Sequence, residues 1–428
     1  MHESKEEKET SVSQLMEEIL SRENMTLAYK KVKANKGARG VDGISTDEVQ
    51  EYLKKNWASI KERIQKRKYK PQPVLRVEIP KPAGGVRKLG IPSVVDRIIE
   101  QAIVQVITPI VEPYFSDYSY GFRPGRRAQQ AVIKLLEYLN DGYTYIVDID
   151  LEKFFDNVPQ DKLMTLVGEI IKDPDTESLI SKYLKAGVMV KGKYEATNVG
   201  TPQGGNLSPI LSNIMLNELD KELEARGLNF VRYADDCIIA VGSSAAAKRV
   251  MNTVTRWIER KLGLKVNMTK TKVTRPSHLK YLGFGFVKKG DKWEARPHQD
   301  SVRNFERKLK KLTKRSWSIS MSERIQRLNC VIRGWINYFR IGKMKQNLIR
   351  IDGHLRTRMR IVIWKQWRTS QKRYWGLRKL GAPEWMAKQS VGFIDHYQAV
   401  AKTTGLRKIS KEILAKRGLI SCVEYYLN

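Results

Sequence analysis

Two acidic residues stand side by side between apolar runs, at Tyr233-Ala234-Asp235-Asp236. Phe230-Val231 precede them and Cys237-Ile238-Ile239-Ala240-Val241 follow. Two β-prone runs around a tight turn predict a hairpin. Its tip then carries adjacent carboxylates, whose like charges repel unless a cation neutralises them. A pair of divalent metals is the usual reason for tolerating that repulsion, and two-metal sites drive in-line phosphoryl displacement. An Asp-Asp pair alone is more often a solvated turn, so the reading needs a third ligand and a setting.

The segment Tyr145-Ile146-Val147-Asp148-Ile149-Asp150 supplies candidates for the third ligand. It reads as a buried strand, in which Asp148 and Asp150 point to the same face. Strand geometry leaves both open.

The setting is polyanionic. The 428 residues carry a formal net charge of +33, and so basic a chain repels itself unless a polyanion is present. No apolar run reaches the length of a membrane span, and residues 1–10 lack a signal-peptide core, so nucleic acid is favoured over a membrane. The three cysteines, Cys237, Cys330 and Cys422, form no Cys-x-x-Cys pair, which disfavours zinc and suggests a reducing, cytoplasmic compartment. Residues 301–380 hold 23 Lys/Arg against 3 Asp/Glu, an excess of +20. Aromatics such as Trp317, Trp335, Tyr338, Trp364 and Trp375 are interleaved there. Basic groups meet phosphates, and aromatics stack on bases or fill a core.

Along the chain, residues 11–34 predict two amphipathic helices. A glycine-rich loop follows at 35–43, then a helix at 47–66. Residues 76–91 resemble a hairpin, and helical spacing resumes at Val95, Ile98, Ile99, Ala102, Ile103 and Val106. Residues 160–171, 206–225 and 245–262 predict further helices. Beyond about 300 the strand signals stop. There Ile325, Leu328, Ile332, Trp335 and Phe339 form one apolar helix face. A boundary near Pro297 and a softer one near 366–372 follow from these changes.

The motifs together resemble the reverse transcriptase and maturase encoded by group II introns, and they occur in that family's order over nearly the whole chain. Gly85-Val86-Arg87-Lys88-Leu89-Gly90-Ile91-Pro92 is similar to the fingers hairpin. Ser119-Tyr120-Gly121-Phe122-Arg123-Pro124-Gly125-Arg126 and Gly200-Thr201-Pro202-Gln203-Gly204-Gly205-Asn206 resemble the next two motifs. Thr269-Lys270-Thr271-Lys272 and Tyr281-Leu282-Gly283-Phe284 follow the Asp-Asp turn in the family's order. Ile332-Arg333-Gly334-Trp335-Ile336-Asn337-Tyr338-Phe339 resembles the maturase thumb. The family's first palm motif places an aromatic five residues after its aspartate. Asp150 with Phe155 fits this; Asp148 would put Lys153 there.

The resemblance implies an α+β fold of right-hand polymerase type: fingers, a palm with an antiparallel sheet, an all-helical thumb and a small C-terminal domain. The expected boundaries are 1–297 for fingers and palm (with an N-terminal block at about 11–57), 298–368 for the thumb and 369–428 for a basic DNA/RNA-binding appendage. It implies RNA-directed DNA synthesis with two Mg²⁺ and deoxynucleoside triphosphates (dNTPs). Asp150, Asp235 and Asp236 would be the catalytic, metal-holding carboxylates. Lys81, Arg87, Leu151, Phe155, Gln203 and Lys270 would contact the nucleotide. Phe155 would exclude a 2′-hydroxyl, and either Lys270 or Lys272 would protonate pyrophosphate. Lys36, Arg39, Arg123, Lys310, Lys311, Lys314 and Arg333 would meet template or RNA.

The partners implied are an RNA template, a DNA primer, the group II intron RNA and target DNA, with no membrane, in a bacterial cytoplasm. The ending at Asn428, with one cysteine in the last 90 residues, suggests the subset without the His- and Cys-rich endonuclease, as in group IIC. The competing expectation is an RNA-binding splicing factor with a vestigial polymerase site. A retron-type enzyme fits the Gly334-Trp335-Ile336-Asn337-Tyr338 segment less well.

Overall fold

A computed structural model describes residues 12–80, 84–202, 204–392 and 396–428. The chain divides into two compact units, with the break between Thr274 and Arg275.

The first unit is built on two four-stranded sheets. β1 (Val74–Pro80) and β2 (Val86–Ile91) form the expected hairpin, pairing from Leu75 with Ile91 to Pro80 with Val86. β4 (Val188–Val190) runs parallel to β1, and β5 (Lys193–Glu195) pairs with β4, giving the order β2-β1-β4-β5. The second sheet contains β3 (Tyr145–Ile149), β6 (Asn229–Tyr233), β7 (Asp236–Val241) and β8 (Lys272–Thr274) in the order β6-β7-β3-β8. Every pairing in it is antiparallel.

Strands β3 and β7 are apolar because they are covered. Ile146, Val147, Ile149, Cys237, Ile238, Ile239 and Ala240 are buried. The helices Gln160–Ile171, Ser208–Ala225 and Ser244–Trp257 pack their apolar faces into the same unit. They correspond to the expected helices, the last extended by one wide π turn over Ile258–Leu262. The helices Ala128–Asn140 and Pro174–Leu184 and the short β4–β5 hairpin have no counterpart in the sequence reading.

The helix Val94–Val111 is deeply covered. It buries Ile98, Ile99, Ala102, Ile103 and Ile107 together with two acids, Asp96 and Glu100. Buried acids need donors. Asp96 accepts from Tyr69 Oη (2.7 Å), Ser93 Oγ (2.8 Å) and the Gln72 N–H (3.0 Å). Glu100 accepts from the Asn206 N–H at 2.6 Å, which fastens the start of the 206–225 segment to this helix.

The second unit opens with a separate three-stranded sheet: β9 (Lys280–Tyr281), β10 (Phe284–Lys289) and β11 (Lys292–Pro297), in the order β11-β10-β9. After Pro297 the described residues are helical, as the sequence predicts. The second compact unit takes in Arg275 to Pro297 as well, because β9–β11 form a sheet of their own, separate from the two sheets of the first unit. The helix Met321–Phe339 buries Ile325, Leu328, Ile332 and Phe339 as its spacing predicts. Trp335, on the same face, stacks on Phe305 with ring centroids 4.4 Å apart. The long helix Lys345–Gln366 and the helix Ser370–Lys379 flank the expected softer boundary. No helix among the described residues is long and apolar enough to cross a membrane.

Burial pushes the Glu100 carboxyl up to about 8 from an ordinary value near 4.5. The folded chain then keeps a proton that the unfolded chain has released between those two values. Its contribution to stability is full below about 4.5 and declines as pH rises through about 8. Glu100→Gln copies the protonated acid and keeps an oxygen for the Asn206 N–H. Unfolding free energies from urea titrations at pH 5 and pH 8 are expected to lie closer together in this variant than in the parent, by on the order of a few kcal/mol at most. Identical pH dependence in both chains would show that Glu100 is not the group responsible.

Candidate active site

The β6–β7 hairpin closes through Ala234 and Asp235, with Tyr233 paired to Asp236. Ala234 takes a positive φ of 55°. Positive φ at the first of two loop residues is a conformation that glycine ordinarily supplies, so this alanine is strained. The β3–β7 register ends at Ile149 with Cys237. One step further it brings Asp150 opposite Asp236. Asp150 is held from both flanks: its N–H donates to Thr271 Oγ1 (3.1 Å) and its carbonyl accepts from the Asn267 N–H (2.8 Å).

Asp150, Asp235 and Asp236 line one cavity of about 970 Å³, together with Arg87, Leu151, Phe155 and Lys270. All seven were expected at the site from sequence. Lys270 Nζ stands 3.4 Å from both Asp150 carboxylate oxygens. Lys272 instead lies in β8 opposite Asp148 and outside the cavity lining. The Asp235 carboxyl is raised above its ordinary range by burial and by Asp150, against the pull of Arg87 and Arg232. Asp236 is pushed up to about 6, first by the protein mass around the turn, then by Asp235, Asp148 and Asp150. Asp148 is also raised, by burial first, while Lys272 opposes the shift.

These shifts bear on whether the residues suit divalent cations. The donors are hard carboxylate oxygens, as Mg²⁺ prefers. Two of the three carry raised pKa values caused partly by one another, which is the penalty that a cation would remove. Among the described residues no three His, Cys, Asp or Glu side chains already converge at metal-holding distance. The fit rests on the chemistry of the donor set, three carboxylates lining one cavity.

Of the other lining residues, Phe122, Glu152, Lys153 and Asn267 were not among the expected contacts, whereas Gly204 belongs to the segment expected beside the nascent base pair. Phe122 is half exposed, with φ 58°, on the cavity wall. Lys153, Glu152 and Asn267 also contribute. Gly204 lines the cavity with φ 124°, and a Cβ there would fall 2.3 Å from the Gly90 carbonyl of β2. Only glycine permits that approach. Lys81 and Gln203, both expected at the nucleotide, lie outside the described residues.

The residues expected to meet RNA divide into three groups. Lys36 and Arg39 are exposed on their loop, and Arg39 sits 3.4 Å from Glu48. Arg97 Nη2 donates to the Ala38 carbonyl at 2.5 Å and ties that loop to the buried helix. In the second unit Lys310, Lys311, Lys314 and Arg333 are exposed, and Lys310 joins Arg303, Arg307, Arg358 and Lys402 around a separate cavity of about 580 Å³. Arg123 is different. It is buried, donates to Glu112 Oε1 (2.9 Å) and the Ser119 carbonyl (2.9 Å), and also bonds the Ser116 carbonyl. This corrects the expectation for Arg123: its donors are spent inside the fold, where a phosphate has no access.

Comparison with known proteins agrees with the geometry. Residues 79–286 match the family described as reverse transcriptase (RNA-dependent DNA polymerase), and residues 302–381 match the group II intron maturase-specific domain. Protein YkfC of Escherichia coli is 31% identical over 360 residues, covering 73% of this chain and 94% of that protein. The COX1/OXI3 intron 2 protein of Saccharomyces cerevisiae is 30% identical over 352 residues, covering 68% of this chain and 40% of its own length. The group II intron-encoded protein LtrA of Lactococcus lactis is 29% identical over 362 residues, covering 65% of this chain and 60% of its own. This chain thus spans less than two thirds of each of the last two. On the family matches and the likeness to YkfC, the chain belongs to the reverse transcriptases that carry a group II intron maturase-specific domain.

Proposed function

We propose that this chain is an RNA-directed DNA polymerase that also binds a group II intron RNA and assists its splicing and mobility. The observation that carries the polymerase reading is the gathering of Asp150, Asp235 and Asp236 in one cavity with Arg87, Lys270 and Phe155. Asp150 and Asp235 would hold two Mg²⁺, with Asp236 supporting them electrostatically. Bound there, the ions supply Lewis acidity for a primer 3′-hydroxyl and charge neutralisation for a triphosphate.

The chain's own groups do the rest. Arg87, exposed on β2, meets the triphosphate of an incoming dNTP, as Lys81 does by its place in the hairpin motif. Lys270, beside Asp150, is the better placed of the two lysines to give a proton to pyrophosphate. Phe155 walls the sugar, over a floor that includes buried Leu151. The motif that holds Gln203 and its glycines is assigned to the nascent base pair. Lys36 and Arg39 cover the template. The assignment of fingers and palm to 1–297, thumb to 298–368 and a DNA/RNA-binding appendage to 369–428 belongs to the same proposal. So do a primer–template duplex, the intron RNA and target DNA as partners.

Primer extension with Mg²⁺ and dNTPs tests the reading against a splicing factor with a vestigial site. Asp150→Asn and Asp235→Asn should each lower extension by at least about 1,000-fold. RNA affinity should stay within about twofold, because binding charge is concentrated elsewhere. A double variant that keeps more than a few per cent of parental extension would remove these carboxylates from the chemistry.

Phe155 tests sugar selection. Phe155→Val should raise the ratio of ribonucleotide to deoxynucleotide kcat/KM by roughly 10- to 100-fold, the scale of a lost steric wall worth about 1–3 kcal/mol. An unchanged ratio would make Phe155 a packing residue only; its contact with Phe154, centroids 5.3 Å apart, is the alternative role.

The second unit tests nucleic-acid contact. Neutralising Lys310, Lys311 and Lys314 together removes exposed charge without touching the cavity of the first unit. The slope of log K against log salt should flatten by up to about 0.9 per lost contact on a B-form duplex. Products per binding event should shorten while single-nucleotide insertion keeps its rate. Slower insertion with an unchanged salt slope would contradict the assignment.

A further inference from the structure

The strained Ala234 turn is held by groups that the family motifs leave without a role. Arg232, the residue before Tyr233, is fully buried with its partner Asp220. Its Nε donates to Asp220 Oδ1 at 2.7 Å and its Nη2 to Asp220 Oδ2 at 2.5 Å, a two-pronged pair. Its Nη1 faces elsewhere. It donates to Asn213 Oδ1 at 3.0 Å and to the Ala234 carbonyl at 2.9 Å. Asn213, also fully buried, sends its Nδ2 to the Gly121 carbonyl at 2.8 Å.

Gly121 closes the ring. A Cβ on it would lie 2.2 Å from the Ala234 nitrogen. Its φ is not positive, so glycine is needed there for space and not for conformation. The segment carrying Gly121 is itself fixed to β6: the Tyr120 N–H donates to the Arg232 carbonyl (2.8 Å), and the Arg232 N–H to the Tyr118 carbonyl (2.9 Å).

We propose that Asp220, Arg232, Asn213 and the Gly121 backbone form a buried clamp that sets the position of the Ala234 turn and, through it, of the Asp235 and Asp236 carboxylates. These are positioning residues. None of Asp220, Arg232, Asn213 or Gly121 lines the cavity. The inference rests on the polymerase reading above, since it concerns how that site is held.

The geometry explains why a charged pair sits where an apolar one would serve stability as well. Replacing a buried ion pair by apolar side chains of similar volume is often neutral or stabilising. Apolar side chains, however, have no donor for the Ala234 carbonyl. An alanine at a glycine-type turn position relaxes unless its surroundings over-determine it. The guanidinium, with donors on three nitrogens in one rigid plane, can grip Asp220 and the turn together, which a lysine cannot.

The test separates holding the fold from holding the turn. Two variants are made: Gly121→Ala, which pushes on the Ala234 nitrogen, and Asp220→Leu with Arg232→Met, which keeps an apolar core. Single-nucleotide insertion is followed from preformed enzyme–duplex complexes in a rapid-quench instrument, beside Tm and duplex affinity. The burst amplitude counts molecules that are folded and bound. The burst rate constant reports how well the reacting groups are placed. Displacement of reacting groups by about 1 Å costs on the order of 100-fold.

The clamp predicts a rate constant lowered by roughly 30- to 100-fold in both variants. dNTP KM and duplex Kd should stay within about threefold, and the double variant should lose only a few degrees of Tm, from leaving Asn213 Oδ1 and the Ala234 carbonyl without a donor. Asp235→Asn in the parent background distinguishes failure of the clamp from failure of the polymerase reading, because it abolishes the burst only if the site is the polymerase centre. Loss of amplitude at an unchanged rate constant, in either variant, would show that the cluster merely stabilises the fold and would overturn the proposal.

Discussion

Mutual repulsion of carboxylates is the constraint around which the first unit is arranged. Asp150, Asp235 and Asp236 share a cavity whose walls are protein; beyond burial, Asp150 raises the cost of charging Asp235, and both raise the cost of charging Asp236. Nothing in that cluster favours its own assembly, so its geometry must be imposed from outside. The antiparallel β3–β7 register places Asp150 opposite Asp236, the Thr271 and Asn267 contacts pin Asp150, and Gly121 and Arg232 press on the turn. The apolar residues of β3 and β7 supply the stability that the acidic tip lacks.

The parts legible in the sequence are those written in local pattern. The Asp-Asp turn, the strand ending at Asp150 and the helix faces all follow from spacing within a dozen residues. Position five after Asp150 selected Phe155, and the cavity contains both. Arg123 was misread for a physical reason: a motif arginine beside a turn looks like a phosphate ligand. Only the fold shows that Glu112, Ser116 and Ser119 surround it. The clamp was invisible for a related reason. Asn213 and Gly121 are 92 residues apart, and no periodicity connects them. The β4–β5 hairpin is too short to announce itself, and it joins β1 as a parallel neighbour, a pairing no local signal encodes.

The basic excess of residues 301–380 also means less than its count suggests. Arg324 is buried, and its guanidinium donates to the Trp317 carbonyl at 2.7 Å and the Lys314 carbonyl at 3.3 Å. Arg373 is buried too, with its Nε on the Trp367 carbonyl at 2.9 Å. Arg358 donates to Thr313 Oγ1 and to the Thr313 carbonyl, both at 3.1 Å. These arginines satisfy carbonyls at helix ends and turns, where a cation is electrostatically favoured. The aromatics divide in the same way. Trp364 is fully buried and Trp335 stacks on Phe305, whereas Trp375 remains exposed. Composition identifies a polyanion-binding class, and burial then decides which cations are left to bind.

Arginine thus has two uses in this chain that a charge count cannot separate. Where its donors find carbonyls inside the protein, as at Arg324, or carbonyls and a carboxylate, as at Arg123 and Arg232, it braces irregular backbone that regular hydrogen bonding cannot satisfy. Where it stands on an exposed strand or helix, as at Arg87 and Arg333, its planar fork faces solvent and is available to phosphate. The proposed polymerase site needs both kinds. Turns and loops must bring acidic groups together against their repulsion, which takes internal donors, and the polyanionic substrate must be drawn to those same acids, which takes external ones. Lysine suits only the second use: its flexible stem and point charge cannot hold two acceptors in a fixed plane. On that argument Lys270, exposed beside Asp150, would under the proposed function belong with the groups that face the substrate, and Arg232, fully buried, with the frame that holds the turn.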